Sequence, residues 1–271
     1  MVMKLEATQH QEVSITDLFE EYFREHFPSL DIELNANLSL YQNIQLLCKN
    51  HGKPFAGECN KALEYAYDIK YGDWDNVNDL RKLYGSEWSN PIRKYFENIT
   101  SSDKIIDIGC NDGRELKDLL LANFNKPKIT LIDISKNAIR KLQNAIEHRH
   151  VEIINQSFLD TKFKKNSFDF CVSFRTLHSS GIDTGKSIEK CYYITKPNGL
   201  IVLSVSNGYI DENTGEPLKG MYEYSTGKVN EKKPYEIAES MAQKLRELGV
   251  INVQIIDGSS EIFIVACKNG K

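Results

Sequence analysis

From about residue 101 onward, short apolar runs alternate with segments whose apolar positions recur at helical spacing. The runs are rich in Ile, Val, Leu and Phe, which is typical of strands that are buried on both faces. Alternating strands and helices predict a doubly wound α/β sheet. The last two runs are joined only by the turn 257–260, which predicts a hairpin. The predicted strands are residues 104–108, 129–133, 151–155, 168–174, 200–205, 253–256 and 262–267.

The first 100 residues carry a different pattern, in which apolar stripes predict several helices. One stripe begins at Leu18 and stops before Pro28, as expected where proline ends a helix. We therefore divide the chain into an N-terminal helical cap, residues 1–100, and an α/β core, residues 101–271. This cap either packs passively on the core or acts as a lid that contacts substrate. The aromatic candidates for such contacts are Tyr71, Trp74, Tyr84 and Trp88.

The first strand of the core leads through a glycine-containing turn into a helix, in the segment KIIDIGCNDGRELKDLL. Gly109 and Gly113 bracket this turn, and Asn111 between them tolerates a left-handed backbone. Such a turn aims several backbone N–H groups at one point and so can hold a ligand. The carboxylates of Asp107 and Asp112 flank the turn. They would repel a diphosphate, whereas they would favour a ligand that carries an amine and a sulfonium.

This segment resembles motif I of the class I S-adenosylmethionine (SAM) dependent methyltransferases, D/E-x-G-x-G-x-G, with Asn111 at the middle glycine. Later segments resemble further motifs in the family's order, and the resemblance covers about residues 101–268. They are LIDISKNAIRKL, NQSFLD, NSFDFCVSFRTLHSSG and KPNGLIVLSV. The resemblance implies SAM as the cofactor and a seven-stranded Rossmann-like sheet whose last strand runs antiparallel.

The resemblance also assigns cofactor contacts to the ends of the strands. Asp133 would receive the ribose hydroxyls, since each carboxylate oxygen can accept one O–H; the alternative is an acid that only favours a helix N-terminus. The family usually has an aspartate near Gln156 or Ser157, so either of these is predicted to bond the adenine amine, with Phe158 against the ring. The complete predicted set is Asp107, Gly109, Asn111, Gly113, Asp133, Ile134, Gln156, Ser157, Phe158 and Phe174.

The loop after the fourth strand is expected to carry the chemistry, because open α/β sheets bind ligands at this edge. His178 falls where many small-molecule methyltransferases place a histidine that faces the methyl group. It is the candidate general base, since its usual pKa lies near the operating pH; the alternative is a loop histidine bonded to solvent or backbone. Arg175 is a candidate for holding a substrate carboxylate or phosphate.

A long insertion, residues 207–234, separates the fifth strand from the last helix. Its length and its glycines suit a loop that covers substrate, although the same residues can equally be ordinary packing beneath a long loop. Tyr222 in this insertion joins Arg175, Tyr84 and Trp88 as a predicted substrate contact.

Composition narrows the class of function. The net charge is −4 and the pI is about 5.9, so no overall basic surface for nucleic acid is present. No D/N-P-P-Y/W/F tetrad follows the fourth strand, which argues against methylation of an amino group on adenine or cytosine. The six cysteines lack a C-x-x-C pair, and no metal site is predicted. Scattered cysteines and the lack of an apolar leader or a membrane-length run predict a cytoplasmic protein without a membrane partner.

The sequence therefore predicts a SAM-dependent methyltransferase that modifies an oxygen or nitrogen of a small molecule. Two alternatives stay open at this point. One is a methyltransferase for peptide or protein side chains, with the helical cap as docking surface. The other is a SAM-binding partner subunit without catalysis. A nucleotide-binding oxidoreductase is disfavoured by the acids that flank the turn.

Overall fold

The computed structural model describes residues 13–30, 32–71, 80–120, 127–145, 150–179, 181–211, 213–220 and 232–270. Within these ranges, seven strands form one sheet. Its strands are β1 (Lys104–Ile108), β2 (Lys128–Asp133), β3 (Val151–Asn155), β4 (Phe168–Ser173), β5 (Thr195–Ser206), β8 (Val253–Asp257) and β9 (Glu261–Cys267). Two short strands, β6 (Gly208–Ile210) and β7 (Pro217–Lys219), pair separately as a ribbon.

The strand order is β3-β2-β1-β4-β5-β9-β8. Strands β1 to β5 pair in parallel, whereas β9 pairs antiparallel with both β5 and β8. The predicted α/β class, the hairpin and the antiparallel last strand are therefore confirmed. The carboxyl ends of the parallel strands meet at one edge, so the loops after β1, β2, β3, β4 and β5 converge there.

Helices cover both faces of the sheet and bury its apolar residues in two clusters. Leu116 and Leu142 lie in one cluster, and Ile188 and Met241 lie in the other. The helices of the core are Arg114–Leu120, Lys136–Ala145, Thr184–Ile194 and Lys233–Glu247. The structure thus places an amphipathic helix after each of the strands β1, β2 and β4, as the apolar spacing predicts.

The N-terminal residues are helical as predicted, and their first helices begin at serine capping boxes, Ser14 with Asp17 and Ser39 with Gln42. Residues 15–71 bury an apolar cluster of their own. Trp88 lies instead in the cluster beneath the sheet. The helical segments are Ile15–His26, Leu40–His51, Lys53–Tyr71, Leu80–Tyr84 and Asn90–Arg93, with 3₁₀ turns at Gly85–Ser89 and Lys94–Phe96.

Strand β5 begins earlier than its apolar run. The apolar run predicts a strand over residues 200–205, whereas the segment Lys196–Gly199 before it also lies within β5. The pairing register with β4 shifts between Phe168 and Phe170, and Asn198 has a φ of 62°. A bulge accommodates these extra residues, so the strand continues through a turn-like sequence.

Candidate functional site

A cavity of about 810 Å³ lies at the carboxyl ends of the parallel strands, within the ~300–1,000 Å³ typical of ligand sites. Most of the residues predicted to bind cofactor or substrate line this one cavity. Gly113 and Tyr84 do not line it, and Tyr222, Trp74 and the side chain of Tyr71 lie outside the described residues. The predicted residues that do line it are Asp107, Gly109, Asn111, Asp133, Ile134, Gln156, Ser157, Phe158, Phe174, Arg175, His178 and Trp88.

The turn after β1 has the left-handed backbone that its sequence predicts. Asn111 has a φ of 48°, and Gly109 and Gly113 have φ values of 69° and 74°. A Cβ atom on Gly109 would lie 2.2 Å from Cγ2 of Thr176, so only glycine fits between β1 and the loop after β4. The N–H of Gly113 donates to the Cys110 carbonyl at 2.8 Å and closes the turn. The left-handed φ of Gly113 favours glycine at this position, although the residue does not line the cavity.

The two acids beside the turn have different surroundings. Asp112 pairs with the guanidinium of Arg114, with Nε 2.8 Å from Oδ2. Asp107 is 1% exposed and lines the cavity, and its Oδ2 has no hydrogen-bond partner among the described residues. Burial, Glu115 and Asp133 raise the pKa of Asp107 well above its usual range. A buried carboxylate in this state fits a ligand that brings a hydrogen-bond donor or a positive charge.

Asp133 is fixed by two backbone amides. Its Oδ2 accepts from the N–H of Asn111 at 2.9 Å, and its Oδ1 accepts from the N–H of Ser135 at 2.9 Å. Burial raises the pKa of Asp133, and these backbone bonds partly oppose that shift. Each carboxylate oxygen can accept a further hydrogen bond. The carboxylate is thus oriented at the end of β2 with capacity left for two hydroxyls of a ligand.

Asp68 of the N-terminal helix Lys53–Tyr71 reaches this region, which the sequence analysis missed. The Ser135 hydroxyl donates to Oδ1 of Asp68, and the N–H of Asn137 donates to the same oxygen at 3.2 Å. The Ser135 hydroxyl in turn accepts from the N–H of Ala138 at 3.1 Å. Asp68 therefore holds the residue whose backbone orients Asp133.

Two further polar contacts extend along the same helix. Glu64 pairs with Lys136, and the Asn60 amide donates to Oδ2 of Asp160 at 3.0 Å, in the loop after β3. The positions 60, 64 and 68 lie on one helix face because they are four residues apart. That spacing of polar residues along one face of the helix was the available signal in the sequence.

The loop after β4 begins with a strained arginine. Arg175 has a φ of 55°, a region that non-glycine residues rarely adopt. Its N–H donates to the Ser204 hydroxyl at 3.0 Å, and Nη2 donates to the Tyr209 hydroxyl at 3.3 Å. The structure thus brings Arg175 into the cavity wall, beside the end of β5.

His178 also lines the cavity. It was predicted to act as a base because the usual pKa of histidine lies near the operating pH, and for His178 that premise is wrong. Burial lowers its pKa to about 3, with a further contribution from Arg175. The side chain is therefore neutral at neutral pH, so it can accept a hydrogen bond or a proton, although it is a weak base in this state. Its role as a general base stays a prediction.

A buried ion cluster closes the cavity on the side of β9, and the sequence analysis did not find it. Arg81 pairs with both Glu115 and Glu261, and Glu261 also accepts from the Ser204 hydroxyl. The guanidinium of Arg81 lies 4.6 Å from the centre of the Trp88 ring. Trp88 is 2% exposed, so it belongs to the packed wall of the cavity.

Comparison with known proteins identifies one family model and one relative that match part of this chain. Residues 106–203 match a family model described as "Methyltransferase domain". An uncharacterized protein of Methanocaldococcus jannaschii is 26% identical over 152 residues. That match spans 54% of this chain and 56% of the relative, so the chain covers little more than half of the relative's length.

Solved structures share the fold. A SAM-dependent methyltransferase from Aquifex aeolicus is 17% identical, with a TM-score of 0.51, over 70% of this chain and 94% of that chain. A protein of Methanococcus maripaludis, assigned to the same class, is 18% identical, with a TM-score of 0.53, over 79% of this chain and 94% of that chain. At these identities the likeness concerns the fold.

Among the residues that the structure describes, no helix is long and apolar enough to cross a membrane, and no cluster of His, Cys, Asp and Glu could hold a metal.

Proposed function

We propose that this chain, whose residues 106–203 match a methyltransferase domain model, is a class I SAM-dependent methyltransferase that transfers a methyl group to an oxygen or nitrogen of a small molecule. SAM is the cofactor that this family implies. One observation carries the proposal: the turn after β1, Asp133 and the loop after β3 all line one cavity together with the loop after β4. The same cavity contains the unpartnered Oδ2 of Asp107, which fits the positive charge of such a cofactor.

The residues at the strand ends would share the cofactor between them. Asp133 would accept the ribose hydroxyls, since two amides already orient its carboxylate. Asp107 would accept hydrogen bonds from the amine of the methionine part. Gln156 or Ser157 would bond the adenine amine, and Phe158 would contact the ring.

SAM supplies a methyl group on a positively charged sulfur, and the chain supplies position and proton transfer. Holding two reactants in line is worth roughly 7–11 kcal/mol, so orientation by the cavity can provide most of the rate increase. His178 is proposed to accept the proton of the acceptor, because it is neutral at neutral pH and lines the cavity. A positioned base whose pKa lies near the operating pH contributes about 10²–10⁴-fold, and His178, as a weaker base, would contribute less.

A small acceptor is favoured by the way in which the N-terminal residues cover the cavity. Leu63, Tyr67 and Lys70 line it from the helix Lys53–Tyr71, and the later N-terminal residues Arg81, Lys82, Gly85, Ser86 and Trp88 also line it. We therefore propose that residues 1–100 act as a lid, with Tyr209 of the insertion 207–234 in the same wall. Such a cover restricts entry to small molecules and disfavours a folded protein as substrate.

Transfer of label from SAM with a labelled methyl group tests this function. A cell extract is separated by size, and the protein is incubated with its small-molecule fraction or with its protein fraction. Label in the small-molecule fraction, absent with Asp133→Ala, supports the proposal. Label in the protein fraction supports side-chain methylation instead. S-adenosylhomocysteine (SAH) binding without label in either fraction indicates a partner subunit and contradicts the proposal.

A further inference from the structure

A serine at the carboxyl end of β5 has a buried hydroxyl that lines the cavity without a partner. Ser206 is 5% exposed, and its Oγ makes no hydrogen bond with the described residues. Buried polar atoms in folded proteins are almost always hydrogen-bonded. An unpartnered hydroxyl in the wall of a ligand cavity therefore indicates a polar atom of the ligand.

Arg175 lies at the end of the neighbouring strand. Strands β4 and β5 are parallel, with Ser173 opposite Leu203, so Arg175 comes level with the residue before Ser206. The bond from its N–H to Ser204, on the same strand, fixes that position despite the left-handed φ. Strained backbone of this kind is concentrated at functional sites.

Tyr209 completes a group of hydrogen-bond donors around this point. Tyr209 lies three residues after Ser206, in β6, and its hydroxyl is 3.3 Å from Nη2 of Arg175. The guanidinium carbon lies 5.8 Å from the centre of the same ring. Ser206, Arg175 and Tyr209 all line the cavity and all can donate.

The buried glutamates beside this group already bond another cation. Glu115 and Glu261 both pair with Arg81, and Glu261 also accepts from Ser204. Arg175 adds one positive charge, which a singly charged carboxylate neutralises and which its planar fork matches in shape. A phosphate dianion would leave an excess negative charge near Glu261, which shares Ser204 with Arg175, in a cavity that Asp107 also lines.

We infer that Ser206, Arg175 and Tyr209 form a subsite for a carboxylate of the methyl acceptor. The inference rests on the proposed function, because it takes this end of the cavity as the acceptor side. It narrows the substrate class to small carboxylic acids. Ser206 and Tyr209 are then residues that select substrate, while His178 and the predicted cofactor residues line the same cavity.

The test uses the smallest carboxylate as probe, so that the unknown shape of the acceptor does not matter. Thermal unfolding of the SAH-saturated protein is followed against sodium formate, with formamide and sodium phosphate as probes at equal ionic strength. We expect formate to raise the unfolding temperature and formamide to leave it unchanged. Ser206→Ala should weaken formate binding about tenfold, since a hydrogen bond to a charged group is lost, and Arg175→Gln should abolish it.

Ser260→Ala is the matched control, because Ser260 also has a buried hydroxyl without a described partner but does not line the cavity. It should bind formate like the wild type. Equal formate affinity in wild type, Ser206→Ala and Arg175→Gln would overturn the inference, and so would tighter binding of phosphate than of formate. SAH binding without any formate effect refutes this inference alone, whereas a protein that binds no SAH contradicts the proposed function as well.

Discussion

At Gly109 the backbone passes so close to Thr176 that the residue can carry no side chain. Gly109→Ala should therefore lower the free energy of unfolding for two separate reasons. A left-handed alanine costs about 1–2 kcal/mol, and the clash with Thr176 adds about 1–3 kcal/mol. Gly85→Ala is the control, since Gly85 has a φ of 55° with nothing within 4 Å of the added Cβ. Equal losses in urea unfolding of the two variants would contradict the close approach of β1 to the loop after β4.

The lowered pKa of His178 leads to a prediction about how the stability of the protein depends on pH. In the unfolded chain a histidine titrates near 6.5, whereas the folded protein keeps His178 neutral down to about 3. Between these pH values the unfolded chain binds the extra proton, so stability is lost as the pH falls through this window. The loss is up to about 1.4 kcal/mol for each pH unit.

Urea unfolding at pH 7.5 and pH 5.5 measures this effect against His178→Gln, which cannot titrate. The wild type should lose about 1 kcal/mol more than the variant over this interval, because the interval covers one pH unit below 6.5. The same pH dependence in both proteins would show that His178 is solvated and titrates normally.

Among the elements, the helix Lys53–Tyr71 is linked to the proposed cofactor site through Asp68. Asp68→Ala removes the acceptor that holds Ser135 and the N–H of Asn137. Because Ser135 orients Asp133, SAH affinity should fall about threefold to tenfold, or up to about 1.4 kcal/mol. Calorimetric titration of SAH measures it.

Glu64→Ala is the matched control on the same helix face. It breaks an ion pair whose lysine, Lys136, is 68% exposed, and such pairs contribute little. Its SAH affinity should stay within about twofold of the wild type, because 1 kcal/mol at most is involved. If Asp68→Ala and Glu64→Ala bind SAH equally well, the contact of Asp68 serves only to dock the helix.

The helices and strands differ in how well the sequence predicts their positions. Apolar spacing predicted the seven strands of the main sheet and most helices, because buried strands and amphipathic helices differ in period; the short strands β6 and β7 were not predicted. The start of β5 was missed because a bulge lets the strand run through Asn198, which reads as a turn residue. The start of the helix Thr184–Ile194 does not follow from apolar spacing, because its first turn is polar and is set by the cap of Asp183.

Across the whole molecule, the cluster of Arg81, Glu115 and Glu261 joins the N-terminal residues, the first core helix and the last strand. Arg81→Met would leave two buried carboxylates without their cation. The free energy of unfolding should fall by about 3–5 kcal/mol, the usual cost of breaking a buried pair. Lys136→Met, at the exposed pair with Glu64, should cost at most about 1 kcal/mol. Denaturant titration of both variants decides whether the cluster stabilises the fold as a whole.

This cluster could not be predicted from the sequence. Arg81 is separated from its partners by 34 and 180 residues, and nothing in the local pattern connects them. The same holds for the pKa of His178, which depends on burial by the assembled loops. By contrast, the positions of Asp107, Asn111 and Asp133 could be predicted. The sequence pattern indicates the two strands and the turn on which these residues lie.

Asp133 and the cavity around it are central to the proposed cofactor site, so the deciding measurement is calorimetric titration of SAM, SAH and NAD into the wild type and Asp133→Ala. We expect SAM and SAH to bind the wild type and NAD not to bind. Loss of the two ribose hydrogen bonds in Asp133→Ala should weaken SAH at least tenfold, since hydrogen bonds to a charged group contribute about 1.5–3 kcal/mol each. Binding of NAD without SAM or SAH, or unchanged SAH affinity in Asp133→Ala, would contradict the assignment of this cavity to the cofactor.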